Sequence, residues 1–179
     1  MKICVYCSAK DTIADEYKQL GRELGAWLAS EHHTLVFGGA TGGLMTAVSQ
    51  TACEHKGRVI GVITHGIIAA GRLSPWCTRI LKVPHMNRRK QKMKQLADCF
   101  VCLPGSYGTL DEMFDVIASG TVVEHKKPIY ILNYKGFYNS LKEQIDRMKE
   151  EKFIPQEEMY KPIFVDDLKQ LKQLLVNPK

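Results

Sequence analysis

The residues best placed for chemistry are Gly105-Ser106-Tyr107-Gly108-Thr109, because of what stands on either side of them. Before them, Cys99–Leu103 (CFVCL) is a short apolar run with the length and composition of a buried strand. After the Pro104-Gly105 turn, Leu110–Phe114 has helical spacing. A strand that passes through a glycine-rich turn into a helix leaves the first helical N–H groups unpaired and aimed at one point. The helix dipole adds to their pull, and such a corner binds phosphate. Glu112 sets a carboxylate beside it. A second glycine turn, Gly38-Gly39-Ala40-Thr41-Gly42-Gly43, closes another apolar run, Thr34–Phe37, and leads into Leu44-Met45. A basic cluster, Arg88-Arg89-Lys90, lies in the segment Asn87–Gln95.

Several other chemistries find no support. A Walker A loop requires lysine where Leu44 follows Gly43, and no G-x-G-x-x-G follows the first strand to hold a nicotinamide cofactor. The histidines, at 32, 33, 55, 65, 85 and 125, form no H-x-x-x-H or H-x-E grouping. No G-x-S-x-G elbow is present, and Ser106 has no base nearby in sequence. Two C-x-x-C pairs, Cys4/Cys7 and Cys99/Cys102, invite a zinc or redox reading. Both pairs lie in strand-like runs, where residues three apart point to opposite faces, so buried reduced thiols are the expectation and no metal is assigned.

The elements that would position these groups follow in order. Lys2–Cys7 reads as a strand, then comes a polar loop, then a helix with Tyr17, Leu20, Leu24, Trp27 and Leu28 at spacings of three and four. Thr34–Phe37 is a second strand, and a helix runs from Leu44 to about Lys56. Arg58–Ile63 and Arg79–Val83 read as strands, with a loop of short apolar pieces over Thr64–Trp76 between them. Asn87–Gln95 is a basic helix. Beyond the Cys99–Leu103 strand and its helix come a strand at Ile129–Leu132, a helix from near Phe137, and Ile163–Val165. A last helix follows, which Asp166 could cap. Short apolar strands that alternate with helices predict an α/β, Rossmann-like, doubly wound domain over 1–179, its parallel sheet flanked by helices on both faces. Ligands of such folds sit beyond the carboxyl ends of the strands, where both glycine turns fall.

At 179 residues, 20.2 kDa and 45% apolar residues, the chain has the size and composition of one ordinary globular domain. A net charge of +6 suits an anionic ligand without choosing between nucleotide and polynucleotide. Met1-Lys2 leads directly into a strand, and the apolar runs are too short to span a bilayer. The expectation is a cytoplasmic protein with no membrane role.

Pro104-Gly105-Ser106-Tyr107-Gly108-Thr109-Leu110-Asp111-Glu112 resembles the PGGxGTxxE signature of the Lonely Guy (LOG) family, cytokinin-activating nucleoside 5′-monophosphate phosphoribohydrolases. Met86–Met93 (MNRRKQKM) is similar to the family's MHERKxxM, and Gly38-Gly39…Gly43-Leu44-Met45 resembles its GGGxxGLM turn. The resemblance implies hydrolysis of the N-glycosidic bond to free base and ribose 5-phosphate. It implies Arg89 and Glu112 as the catalytic pair. Gly39, Gly43, Lys90, Gly105, Ser106, Tyr107, Gly108 and Thr109 would hold the phosphate or ribose. No metal or organic cofactor is implied, and nothing marks a lysine for pyridoxal phosphate, although members are sometimes labelled lysine decarboxylases. A homodimer that acts on a small nucleoside monophosphate is implied as well.

Simpler readings stand beside these. Thr109-Leu110-Asp111-Glu112 also reads as a capping box, in which Thr109 and Glu112 only satisfy helix-end N–H groups. Arg88-Arg89-Lys90 also reads as a solvated helix face. The chain departs from the family at Asn87 and Arg88, at Ser106, at Ala118-Ser119 and at Thr64-His65-Gly66. At Ser106 a positive φ would put strain on serine that glycine would escape. A non-hydrolytic carrier of nucleotide or molybdenum cofactor is the alternative function. Single-stranded nucleic acid is disfavoured, because no aromatic residue interleaves the basic run Met86–Gln95.

Overall fold

The structure, a computed structural model, describes residues 1–155, 157–158 and 160–176. Among the described residues, seven strands form one parallel sheet: β1 (Lys2–Tyr6), β2 (Thr34–Phe37), β3 (Arg58–Thr64), β4 (Arg79–Val83), β5 (Cys99–Cys102), β6 (Ile129–Leu132) and β7 (Ile163–Val165). Their order is β4-β3-β2-β1-β5-β6-β7. The chain winds outward from β1 in one direction and from β5 in the other, so the switch point lies between β1 and β5. This is the doubly wound α/β sheet that the alternation of strands and helices implies. β2, β5 and β6 are buried along their whole length, which is why their sequences show no apolar-polar alternation.

Helices α1 (Asp15–Ser30), α2 (Gly43–Glu54) and α7 (Leu168–Val176) cover one face, where Leu20, Leu24, Leu28, Leu44, Val48 and Leu171 pack on Ile3, Val5 and Leu35. Helices α4 (Met86–Leu96) and α5 (Tyr107–Thr121) cover the other, where Met93, Met113 and Val116 pack on Cys4, Tyr6, Val36 and Phe100. α6 (Asn139–Glu150) follows β6 and adds Leu141 to this second face. Among the described residues, no helix is long and apolar enough to cross a membrane.

The cysteines behave as their spacing requires. Cys4 packs on the α4–α5 face and Cys7 on the α1–α2 face, while Cys99 and Cys102 divide the other way round. Burial raises the thiol pKa of all four.

Other expectations need correction. The Thr64–Trp76 stretch is not all loop: Thr64 accepts a hydrogen bond from Ile67 N–H and starts a short helix, α3 (His65–Ala69). The helix expected near Phe137 is present. A 3₁₀ turn, Tyr134–Gly136, precedes it, and α6 begins at Asn139. The last helix is capped by Asp167, whose Oδ1 accepts the Gln170 N–H at 2.7 Å, while Asp166 donates its own N–H to the Gln170 side chain.

Glycine sets how closely α1 and α2 approach. A Cβ on Gly25 would lie 2.4 Å from the Val48 carbonyl oxygen and one on Gly21 2.9 Å from Leu44. A backbone carbonyl cannot rotate aside as a side chain can. Gly25→Ala is therefore expected to cost about 1–3 kcal/mol of stability by overpacking, read as a lower urea midpoint at unchanged slope.

Candidate active site

The corner after β5 is built from Pro104–Ser106, and α5 starts at Tyr107 with Ser106 as its N-cap residue. Ser106 has φ −105° and ψ −157°, an extended conformation that serine adopts freely, so the strain anticipated for this position is absent. The demand for glycine falls one residue earlier. A Cβ on Gly105 would lie 2.0 Å from Thr109 Oγ1. The first intrahelical bond runs from Leu110 N–H to the Ser106 carbonyl at 3.0 Å, and the Ser106 side chain caps nothing. The N–H groups of Tyr107, Gly108 and Thr109 are thus left open at the helix start, where the dipole favours an anion.

The capping-box reading fails on this geometry. Thr109 and Glu112 both lie inside α5, and the Glu112 carboxylate does not return to a helix-end N–H. Instead Glu112 Oε1 accepts from Arg89 Nη1 at 2.8 Å. Arg89 arrives from α4, and its Nε donates to the Val62 carbonyl of β3 at 3.0 Å. The guanidinium lies directly over Gly38, where a Cβ would fall 1.6 Å from Nη2. Arg89 is 6% exposed and Glu112 7%, which excludes a solvated helix face for Arg89.

The pair is not sealed. Among the described residues, Glu112 Oε2 and Arg89 Nη2 have no hydrogen-bond partner. Neither atom is among the fully buried side-chain polar atoms without a hydrogen bond in the described residues, so the two free atoms of the pair are open rather than orphaned in the core. Burial pushes the Glu112 carboxyl above its ordinary range, while the Arg89 charge pulls it back without cancelling the rise.

The second glycine turn works differently. Gly39 takes φ +68° and packs on Ile63, and its carbonyl accepts the Ser74 N–H at 2.9 Å. Gly43 takes φ +47°, and its N–H donates to Asp11 Oδ1 at 2.8 Å, while Gly42 N–H donates to Thr46 Oγ1 at 2.7 Å. The start of α2 thus already holds a carboxylate from its own chain, and the open anion corner is at α5 alone. The two turns meet at the switch point through Ser8, which donates its N–H to the Pro104 carbonyl and accepts the Met45 N–H.

Lys90 is drawn elsewhere. Its ammonium lies 2.8 Å from Asp111 Oδ1 and 3.6 Å from Asp115 Oδ1, tying α4 to α5 on their outer side, and the Asp111 contact raises its pKa. Tyr107 is 90% exposed. Two residues that matter here were not singled out from sequence as site residues, Gly38 and Asp11. Gly38 carried a local signal, a glycine at the end of a buried strand. Asp11 carried none, because its partner is 32 positions away.

These parts have complementary chemistry. Open N–H groups can hold a dianion, and about 4.5 Å along the helix axis, three residues at 1.5 Å each, separates Thr109 from Glu112. A carboxylate with one free oxygen and a fixed guanidinium would then face whatever the anion carries.

Residues 45–175 match the family model described as "Possible lysine decarboxylase". The chain is 38% identical over 153 residues to the cytokinin riboside 5′-monophosphate phosphoribohydrolase LOG1 of Arabidopsis thaliana, covering 86% of this chain and 72% of that protein. It is equally similar to the rice protein (Oryza sativa subsp. japonica) named probable cytokinin riboside 5′-monophosphate phosphoribohydrolase LOGL6, but spans only 61% of that protein's length. Among solved structures, the molybdenum cofactor binding protein of Rippkaea orientalis shares the fold with a TM-score of 0.73, at 18% identity over 98% of this chain and 94% of that one. By sequence, therefore, the chain belongs to the Lonely Guy family, the family of the cytokinin riboside 5′-monophosphate phosphoribohydrolases.

Proposed function

We propose that this protein hydrolyses the N-glycosidic bond of a purine nucleoside 5′-monophosphate, AMP or an N6-modified AMP, to free base and ribose 5-phosphate. The observation that carries the reading is the buried Arg89–Glu112 pair, with one oxygen and one nitrogen open and with Glu112 on the same helix whose uncapped start forms the anion corner. Cleavage builds positive charge on the ribose and negative charge on the departing base. The ionised Glu112 stabilises the ribose cation and orients the attacking water, and Arg89 offers its free N–H groups to the base or ribose. The N–H groups of Tyr107–Thr109, in the corner formed by Gly105 and Ser106, hold the phosphate. That anchor positions the scissile bond without taking part in its rupture. Lys90 acts by tying α4 to α5, Gly39 by its left-handed turn, and Gly43 by packing, since its N–H is engaged by Asp11.

A chromatographic assay with AMP, an N6-substituted AMP and a panel of other monophosphates tests this. Release of free base and ribose 5-phosphate is expected, with Glu112→Gln at least about 10³-fold slower. Because Glu112 must be ionised and burial raises its pKa, activity is expected to rise with pH through an acid limb above the ordinary carboxyl range. The Gln variant should lack that limb. No product from any monophosphate, or undiminished turnover by Glu112→Gln, would overturn the assignment. Tight binding of nucleotide without turnover would instead favour a carrier, the role that the names of several fold neighbours describe for those proteins. Those neighbours are 18–19% identical and support the fold alone, whereas the phosphoribohydrolases reach 38%. The homodimer and cytoplasmic location implied by the family belong to this same proposal.

A further inference from the structure

A cavity of about 250 Å³ opens at the β1–β5 switch, beside the Gly105 corner and on the α1 face of the sheet. Arg89 and Glu112 come from α4 and α5, which cover the opposite face. The cavity walls are mostly apolar: Ile13, Tyr17, Leu44 and Phe137, with Lys10 and Ser106 at the rim. The aromatic side of the cavity is fixed in place. Tyr17 meets both Tyr134 and Phe137 edge-to-face, each at a centroid distance of 6.0 Å. An ion pair between Lys135 and Glu16 clamps the β6–α6 connection onto α1. Within that connection Lys135 holds φ 53° and Gly136 φ 73°, a left-handed turn that carries the chain directly into Phe137. Phe137 nonetheless stays 45% exposed.

The polar side is equally specific. Lys10 is exposed and forms no ion pair with a carboxylate among the described residues. Ser106, the N-cap residue of α5, makes no capping bond, which leaves its hydroxyl available to the cavity that it lines. An unpaired cation and a free hydroxyl at the mouth of an aromatic-walled slot select a ligand with one compact anionic end and one compact apolar body.

We propose that this cavity is a second ligand site, which binds a phosphate monoester carrying a small aryl body. The ring lies among Tyr17, Leu44 and Phe137, and the phosphate lies between Lys10 and Ser106 at the Gly105 corner. Such a ligand uses the anion corner that the hydrolase reading also uses, but needs neither Arg89 nor Glu112. Phosphate monoesters of this class would compete with nucleotide for the corner while placing their bodies on the opposite side of the sheet.

Calorimetric titration of the protein with phenyl phosphate and with inorganic phosphate tests the site. Phenyl phosphate is expected to bind about tenfold or more tightly than inorganic phosphate, the margin expected from burying a ring. Phe137→Ser should erase that margin while leaving the affinity for inorganic phosphate unchanged, and Lys10→Gln should weaken both. Both substitutions fall at exposed positions. As a second readout on the unmodified protein, phenyl phosphate should shift the NMR signals of the Tyr17 and Phe137 rings and the Leu44 methyls. Equal affinities for the two probes, a margin that survives Phe137→Ser, or signal shifts confined to α4 and α5 would each overturn the proposal. A protein that fails to hydrolyse AMP would leave these readouts unaffected, so the two readings fail separately.

Discussion

Arg89→Ala is expected to abolish turnover and to lower folding stability by about 3–5 kcal/mol at neutral pH, because it leaves the Glu112 carboxylate buried without its partner. The pH dependence of that loss follows from the Glu112 shift. Burial raises the folded-state pKa of Glu112 above its unfolded value, so the folded protein binds this proton more tightly than the unfolded chain does. Stability from this group is fully present below the unfolded pKa, declines as pH rises toward the raised folded value, and is flat above it. Without Arg89 the folded pKa rises further and the declining window extends upward. The variant's deficit should therefore be small near pH 5 and largest near pH 8 in urea titrations. A deficit independent of pH would mean that Arg89 supports packing rather than the carboxylate. Arg89→Lys should not restore activity, since a single ammonium cannot serve both the Val62 carbonyl and Glu112 as a planar fork does. Combined with Glu112→Gln, Arg89→Met should recover much of the lost stability and none of the turnover.

Gly38→Ala is the second substitution with a large expected effect, and it acts from outside the Arg89–Glu112 pair. Gly38 does not adopt a left-handed φ, so alanine is compatible with its backbone, unlike at Gly39 with φ +68°. What alanine cannot coexist with is Arg89, whose Nη2 lies 1.6 Å from the position that the added methyl would take. The guanidinium must move by more than an ångström, and displacements of that size cost about 10²-fold in rate. A fall in kcat/KM of at least that size is expected, in a protein that keeps its sheet and its circular dichroism. The decisive comparison is the double variant. If Gly38→Ala works by displacing Arg89, adding it to Arg89→Ala costs nothing further. Additive losses would assign Gly38 another role.

These two predictions mark where local pattern stops and tertiary structure begins. β2 and β6 fall at the boundaries their residues indicate, because a parallel strand buried along its length needs a largely apolar run and these have one. The corner at Gly105–Thr109 was legible for a similar reason: an apolar strand, a Pro-Gly turn and a helical pattern determine a backbone path through local preferences alone. The opposite facing of the paired cysteines followed from the strand period.

The role of Glu112 was not legible from its neighbours. As a string, the run Thr109–Glu112 fits both a capping box and a carboxylate that accepts from a distant cation, since both readings place Glu112 on a helix near its start. Only the tertiary structure brings Arg89, 23 positions away, within 2.8 Å and starts α5 at Tyr107, which moves Glu112 out of capping range. The same holds for Asp11 on Gly43, for Lys90 drawn to Asp111, and for the space that Gly38 leaves for a guanidinium. Short-range sequence determines which backbone conformations are favourable, and hence the fold and the open corner of this protein. Which charges meet, and which donors remain free for a ligand, depends on contacts between distant segments, and those exist only once the sheet has closed around the β1–β5 switch.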